Sequence, residues 1–248
     1  MKKKLTILIV LLVVVVAFAG CEKRYTPDPA VEQFLGNGMT AEGAFAQIAK
    51  VDYKTTITVQ DKQGNEQGTN VLEVEFDKSG DSITYSAHQT YTGMYVSDNI
   101  VEVTATITKD ESGYVYDTLT KYVGSNDPVH ETKHVEDSFV LDLITALVYI
   151  DNGAYNAGGL YYGDIFAQRI YRYPTKFFSV NEQENICVFD GKMMFDVKGV
   201  GETILSQTIK VNELGLLLYF YEKYDSVKGD YVMNSETVPH YEYTTTAA

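Results

Sequence analysis

Between residues 51 and 108 the chain alternates apolar and polar side chains with a period of two, in four successive runs. Val51, Tyr53, Ile57 and Val59 alternate with Asp52, Lys54, Thr56, Thr58 and Gln60; Leu72, Val74 and Phe76 alternate with Glu73, Glu75 and Asp77. Ile83, Tyr85, Ala87 and Tyr91 then alternate with Ser82, Thr84, Ser86, His88 and Thr90, and Val101, Val103, Ala105 and Ile107 with Glu102, Thr104, Thr106 and Thr108. Successive side chains of a strand point to opposite faces, so each run reads as a strand with one buried and one wet face. Polar, glycine-bearing turns at 62–65 and 110–113 separate runs, and connections this short favour an antiparallel meander.

The second half continues the pattern. Asp190-Gly191 reads as a two-residue hairpin turn between 186–189 and 192–197. Residues 212–215 separate 203–211 from 216–224, and 228–230 precede a last strand near 231–233. About ten strands are expected. The 20 tyrosines suit strands whose side chains have one buried and one wet end. Two segments break the alternation. Thr40 is placed to cap a helix through Lys50, with Phe45, Ile48 and Ala49 on one face. Ser138 is placed to cap a second, Phe139–Ile150, in which only Asp142 and Thr145 are polar, with Gly153 as a stop. A helix apolar all round and too short to span a bilayer must be buried. The expected fold class is mainly β (α+β): a curved antiparallel sheet or half-barrel, with this helix packed on the concave face.

The N-terminus reads Met-Lys-Lys-Lys, then an apolar run from Leu5 to Ala19, then Gly20-Cys21. That is a basic region, an apolar region and a small-residue cleavage site. The run is 15 residues, short of the roughly 17–20 that a membrane span needs. Its end, Phe18-Ala19-Gly20-Cys21, resembles the lipobox of bacterial lipoproteins, although that family usually has Leu where Phe18 stands. The resemblance implies a signal peptide over residues 1–20, cleavage between Gly20 and Cys21, and a diacylglycerol or palmitate-type lipid anchor on Cys21. Membrane attachment through that lipid, on the extracytoplasmic face, is then expected. Residues 21–38 are expected to form the lipidated N-terminus and tether, because Pro27, Pro29 and mixed charge argue against helix or strand across 22–31. Residues 39–248 are expected to form a single β-rich domain.

Charge narrows the partners. The chain carries 20 basic and 34 acidic residues, a net charge of −14. Loss of Lys2, Lys3 and Lys4 with the signal peptide makes the balance more acidic still. Such a surface repels nucleic acid and anionic headgroups. With Cys21 lipidated, Cys187 has no partner, so no disulfide is expected; its apolar surroundings, Ile186 to Phe189, suit a buried inert thiol.

His130-Glu131-Thr132-Lys133-His134 matches the H-E-x-x-H pattern, in which a helix brings two His to one zinc and the Glu activates water. Pro128 upstream and Lys133 within the motif argue against that helix. On a strand the two His share a face but lie about 13 Å apart, too far for one zinc. The Gly-rich stretch 153–164 carries Tyr155, Tyr161 and Tyr162, candidates for ligand or partner contact. No Gly-x-Ser-x-Gly elbow or calcium loop occurs, no Gly-Lys-Ser/Thr follows a Gly-rich loop, and no cofactor is expected.

The element order over residues 40–235 is similar to that of the half-barrel lipoprotein family that includes the periplasmic lipoprotein carrier and mycobacterial glycolipid-binding lipoproteins. That resemblance implies a curved sheet wrapped around a helix and a hydrophobic cavity. The functional expectation is a membrane-anchored, non-enzymatic lipoprotein that binds a lipid, another hydrophobic small molecule or a cell-envelope protein. A zinc-dependent envelope hydrolase using His130, Glu131 and His134, and a structural or interaction module without ligand, are the alternatives.

Overall fold

The computed structural model describes residues 24–36, 40–80, 82–93, 100–122, 124–125, 127–135, 160–197 and 201–244. Among the described residues eleven strands form one antiparallel sheet: β1 (Ile48–Asp61), β2 (Glu66–Ser79), β3 (Ser82–Tyr91), β4 (Ile100–Asp110), β5 (Gly113–Tyr122), β6 (Val129–Val135), β7 (Phe178–Asn181), β8 (Ile186–Val197), β9 (Gly201–Asn212), β10 (Leu217–Ser226) and β11 (Tyr231–Tyr243). Their order is β6-β5-β4-β3-β2-β1-β11-β10-β9-β8-β7. The chain meanders outward from β1 to β6, resumes at the opposite edge with β7, and meanders back until β11 pairs with β1. The first and last strands thus meet mid-sheet, in a long register from Ile48↔Tyr243 to Asp61↔Tyr231.

The turns follow from short polar side chains that bond their own backbone. Asp61 Oδ1 accepts from the amides of Gln63 (2.9 Å) and Asn65 (2.8 Å). Asp110 Oδ1 accepts from the Ser112 amide at 2.8 Å, and Asn212 Oδ1 from the amides of Leu214 and Leu216 at 3.0 Å each. Gly215, at φ 74° beside Tyr161, takes a conformation that a side chain would strain.

One face of the sheet is buried from β4 across to β8, while β6 at the edge is exposed. On β1 it presents Val51, Tyr53, Ile57 and Val59, all buried. Pairing Val51↔Phe76 and Ile83↔Ile107 carries the same face to β4, while Phe220↔Ile209 and Phe189↔Ile209 carry it to β8. Two apolar clusters sit on it. The first joins Val51, Val74, Phe76 and Ile107 to Leu160 and Leu216; the second joins Phe189, Ile209 and Phe220 to four residues of helices, Val31, Phe34, Phe166 and Ile170. The opposite face carries the polar half of the alternation.

Three short helices are described. Helix α1 (Pro29–Leu35) begins where the sequence suggested a free tether. The correction has a clear cause: Pro29 occupies the first helical position, where no amide partner is needed, and Asp28 Oδ1 caps the Ala30 amide at 2.8 Å. Val31 and Phe34 are buried in the second cluster. Helix α2 (Ala41–Ala46) is capped by Thr40 as expected, with Oγ1 accepting from the Gly43 amide at 3.1 Å. It stops well before Lys50, because Ile48 already pairs with Tyr243 in the sheet. Helix α3 (Gly163–Arg172) packs on the buried face over the second cluster through Phe166 and Ile170. The expected helix Phe139–Ile150 lies outside the described residues.

Two further expectations are revised. Asp190-Gly191 is no turn: β8 runs through it, with Gly191 opposite Gln207. A Cβ at Gly191 would lie 2.8 Å from Phe189 Cζ and 2.9 Å from Phe177 Cδ2, so the glycine makes room for aromatic rings. The last strand is also far longer than 231–233, because it spans the full length of β1.

Candidate functional site

The buried face is not uniformly apolar. Glu222 and Gln207 stand directly opposite each other on β10 and β9, and α3 lays Arg169 over them. Arg169 Nη1 donates to Gln207 Oε1 at 2.6 Å, and Gln207 Nε2 donates to Glu222 Oε2. The Tyr224 hydroxyl donates to Glu222 as well. The guanidinium is pinned over aromatic rings, 5.3 Å from the Phe189 centroid and 5.9 Å from that of Tyr173. Burial pushes the Glu222 carboxyl above its ordinary pKa, while the bonds from Tyr224 and Gln207 and the Arg169 charge pull it back. Burial and the neighbouring Glu222 raise the Tyr224 phenol.

From this network a polar seam crosses the buried face. Ser235 stands opposite Glu222, Ile57 opposite Ser235, and Asn70 opposite Ile57. In the adjacent row Thr55 and Thr237 share a buried hydroxyl bond of 2.8 Å. Gln89 Nε2 donates to Asn70 Oδ1 at 2.8 Å, which brings the seam to β3. From β9 to β3 there are five strand spacings, or about 24 Å. Two atoms here have no partner among the described residues: Gln89 Oε1 and, close to the seam on β1, Tyr53 Oη. Desolvation of a polar group without a hydrogen bond costs about 1–3 kcal/mol. Burial alone drives the Tyr53 phenol well above its ordinary pKa.

The residues singled out from the sequence fall elsewhere. The H-E-x-x-H segment is strand β6, which separates the ligand set. His130 and His134 share the wet face, about 13 Å apart by strand rise, and Glu131 points to the other face. His130 Nε2 instead meets Asp117 Oδ1 at 2.7 Å, and His134 Nδ1 lies 3.6 Å from Asp110 Oδ2. Among the described residues no group of three or more His, Cys, Asp or Glu is placed to hold a metal ion. Tyr161 forms an isolated bridge with Leu216 and packs against the first cluster, and Tyr162 is buried in the second. Tyr155, Gly20 and Cys21 lie outside the described residues. No helix among the described residues is long and apolar enough to cross a membrane.

Cys187 is fully buried between Val211 and Val180, its register partners, and burial pushes its thiol up to about 12. Its expected behaviour is inert: in the native protein it should react with iodoacetamide only as fast as the protein unfolds, and immediately in denaturant. Mass spectrometry of timed samples checks this.

The polar seam escaped the sequence reading because β10 carries tyrosine on both faces. Tyr219 and Tyr221 alternate with Phe220, Glu222 and Tyr224, so neither face stands out as apolar. The available signal was Glu222 itself, in phase with the buried Phe220.

The sequence matches no protein-family model and no curated protein. Among solved structures, a DUF1329 family protein from Desulfovibrio piger aligns at a TM-score of 0.31 and 6% identity, over 90% of this chain and 96% of that one. A β-barrel-like protein of the domain of unknown function DUF1849 from Brucella abortus aligns at 0.27 and 12% identity, over 79% of this chain and 99% of that one. Both scores lie below 0.5, and neither likeness assigns an activity to this chain.

Proposed function

We propose that this chain is a lipid-anchored, extracytoplasmic, non-enzymatic binding protein with a half-barrel sheet, whose buried face receives an amphipathic lipid-like ligand. One observation carries the reading: the buried face holds a polar seam, with Tyr53 Oη and Gln89 Oε1 unpartnered among the described residues. A core that served packing alone would lose nothing by being apolar there, and would gain stability. A ligand with an acyl body and hydrogen-bonding groups would meet both parts of the face. The anchor rests on the sequence of residues 1–21, and its lipid would keep an acidic domain at a membrane that its charge disfavours.

Native mass spectrometry of the protein purified from its own membranes tests the ligand. A retained lipid mass beyond the covalent anchor supports the reading, and a bare mass leaves a purely structural module. Incorporation of labelled fatty acid tests the anchor: it should vanish in Cys21→Ala, and equal labelling of parent and variant would refute lipidation at Cys21. The strand geometry of β6 gives no support to the zinc hydrolase alternative.

A further inference from the structure

The wet face of the sheet has a recognition surface of its own. Between β1 and β5 lies a groove of about 440 Å³, within the size range of small-molecule sites. Its floor is a grid of hydroxyls: Thr84 stands opposite Thr106, and Ser86 opposite Thr104. We propose that this groove binds a neutral polyhydroxylated chain, a saccharide, lying across the strands.

The chemistry follows from the lining. Each hydroxyl both donates and accepts, which matches the dual character of a sugar hydroxyl. Carboxylates stand at both ends, with Asp77 opposite Thr84 on one side and Asp117 opposite Thr106 on the other. Asp117 is held in place: His130 Nε2 at 2.7 Å and Thr132 Oγ1 at 2.6 Å both bond its Oδ1. Those bonds, Thr132 first, hold its carboxyl below the usual range, so it is an acceptor at neutral pH. Leu119, 43% exposed, offers an apolar edge to the C–H face of a sugar ring. From β1 to β5 are four strand spacings, about 19 Å, enough for several sugar units.

Charge decides against the other occupants. Among the described residues Lys50 is the one cation lining the groove, against the carboxylates of Glu75, Asp77 and Asp117, so a phosphate or uronate is repelled. No arginine among the described residues lines it to grip an anion bidentately. A polycation is not favoured either. Lys50 stands opposite Asp77, Lys54 pairs with Glu73 at 2.8 Å just beyond the rim, and His130 already meets Oδ1 of Asp117, leaving Oδ2 as a single acceptor.

The test is titration of the full-length protein, in a detergent without a sugar headgroup, followed by amide chemical shifts. The probes are cellotetraose and chitotetraose as neutral chains, tetragalacturonate as an anion and tetralysine as a cation. At least one neutral tetrasaccharide should bind in the millimolar range or tighter, shift amides of β1–β5, and resist added salt. Thr84→Val with Thr106→Val keeps side-chain shape and strand preference and should weaken binding about tenfold. Asp117→Asn, an exposed change that leaves the core untouched, should weaken it too and covers a failure of the double variant to fold. If neither neutral chain binds, if the variants bind as well as the parent, or if only tetralysine or tetragalacturonate binds and salt removes it, the proposal is overturned.

Discussion

Arg169→Leu is expected to cost about 1–3 kcal/mol of stability, because it leaves Gln207 Oε1 without its charged donor and removes a cation that helps offset the desolvation of the half-buried Glu222. The cost should depend on pH. The folded pKa of Glu222 is raised above its ordinary 4.5, so its contribution is fully present below that value and is lost as pH rises through the folded one. Without Arg169 the folded value climbs further, and the carboxyl stays protonated over a wider range. Urea unfolding should therefore show a larger penalty at mildly alkaline than at mildly acid pH. Arg169→Leu combined with Glu222→Leu and Gln207→Leu should regain part of the loss, since the three members of the network go together and no charge or amide is left stranded. A penalty equal at both pH values, or no recovery in the triple variant, would place Glu222 outside the influence of Arg169.

Phe166→Ala should cost about 3–5 kcal/mol, the range for deleting a buried aromatic ring. Phe166 is fully buried, and its ring meets Phe178 edge-on at a centroid distance of 6.2 Å. Its loss would loosen α3 from β8–β10. Helix α1 should follow, because Tyr171 Oη bonds Glu32 Oε1 at 2.8 Å and the Tyr25 amide bonds the Tyr171 carbonyl at 2.9 Å. Hydrogen exchange should then rise together over 25–35 and 163–172, while β1, β2 and β11 stay protected. Exchange confined to α3 would mean that α1 is held independently.

The sheet was legible in the sequence wherever one face is apolar and the other charged. Leu72, Val74 and Phe76 against Glu73, Glu75 and Asp77 identify β2 and its buried side without ambiguity. The turns at 62–65, 110–113 and 212–215 were legible because polar, Gly-bearing residues interrupt the alternation there; the bonds of Asp61, Asp110 and Asn212 that close them were not. Long-range pairing was not. Nothing in residues 231–243 announces a strand as long as β1, because Pro239, Ser235 and Thr237 acquire their face only by pairing with β1. Pro29 misled because a proline reads as a breaker, yet it starts α1 once Asp28 caps the turn. Gly191 misled because a glycine that makes room for Phe189 and Phe177 looks, in one dimension, like one that turns a hairpin. The polar seam is a property of register: Glu222, Ser235 and Asn70 lie far apart in sequence and share one row only in the sheet.

The central claim is that the seam serves a ligand and not the fold, and Tyr53→Phe tests it most directly. The change removes only one buried hydroxyl, which has no partner among the described residues. Ligand-free protein should become more stable by about 1 kcal/mol in denaturant unfolding, because a desolvated donor disappears. Protein purified from membranes should at the same time retain less lipid by native mass spectrometry. A variant that is less stable when ligand-free, or that keeps its lipid undiminished, would contradict the account.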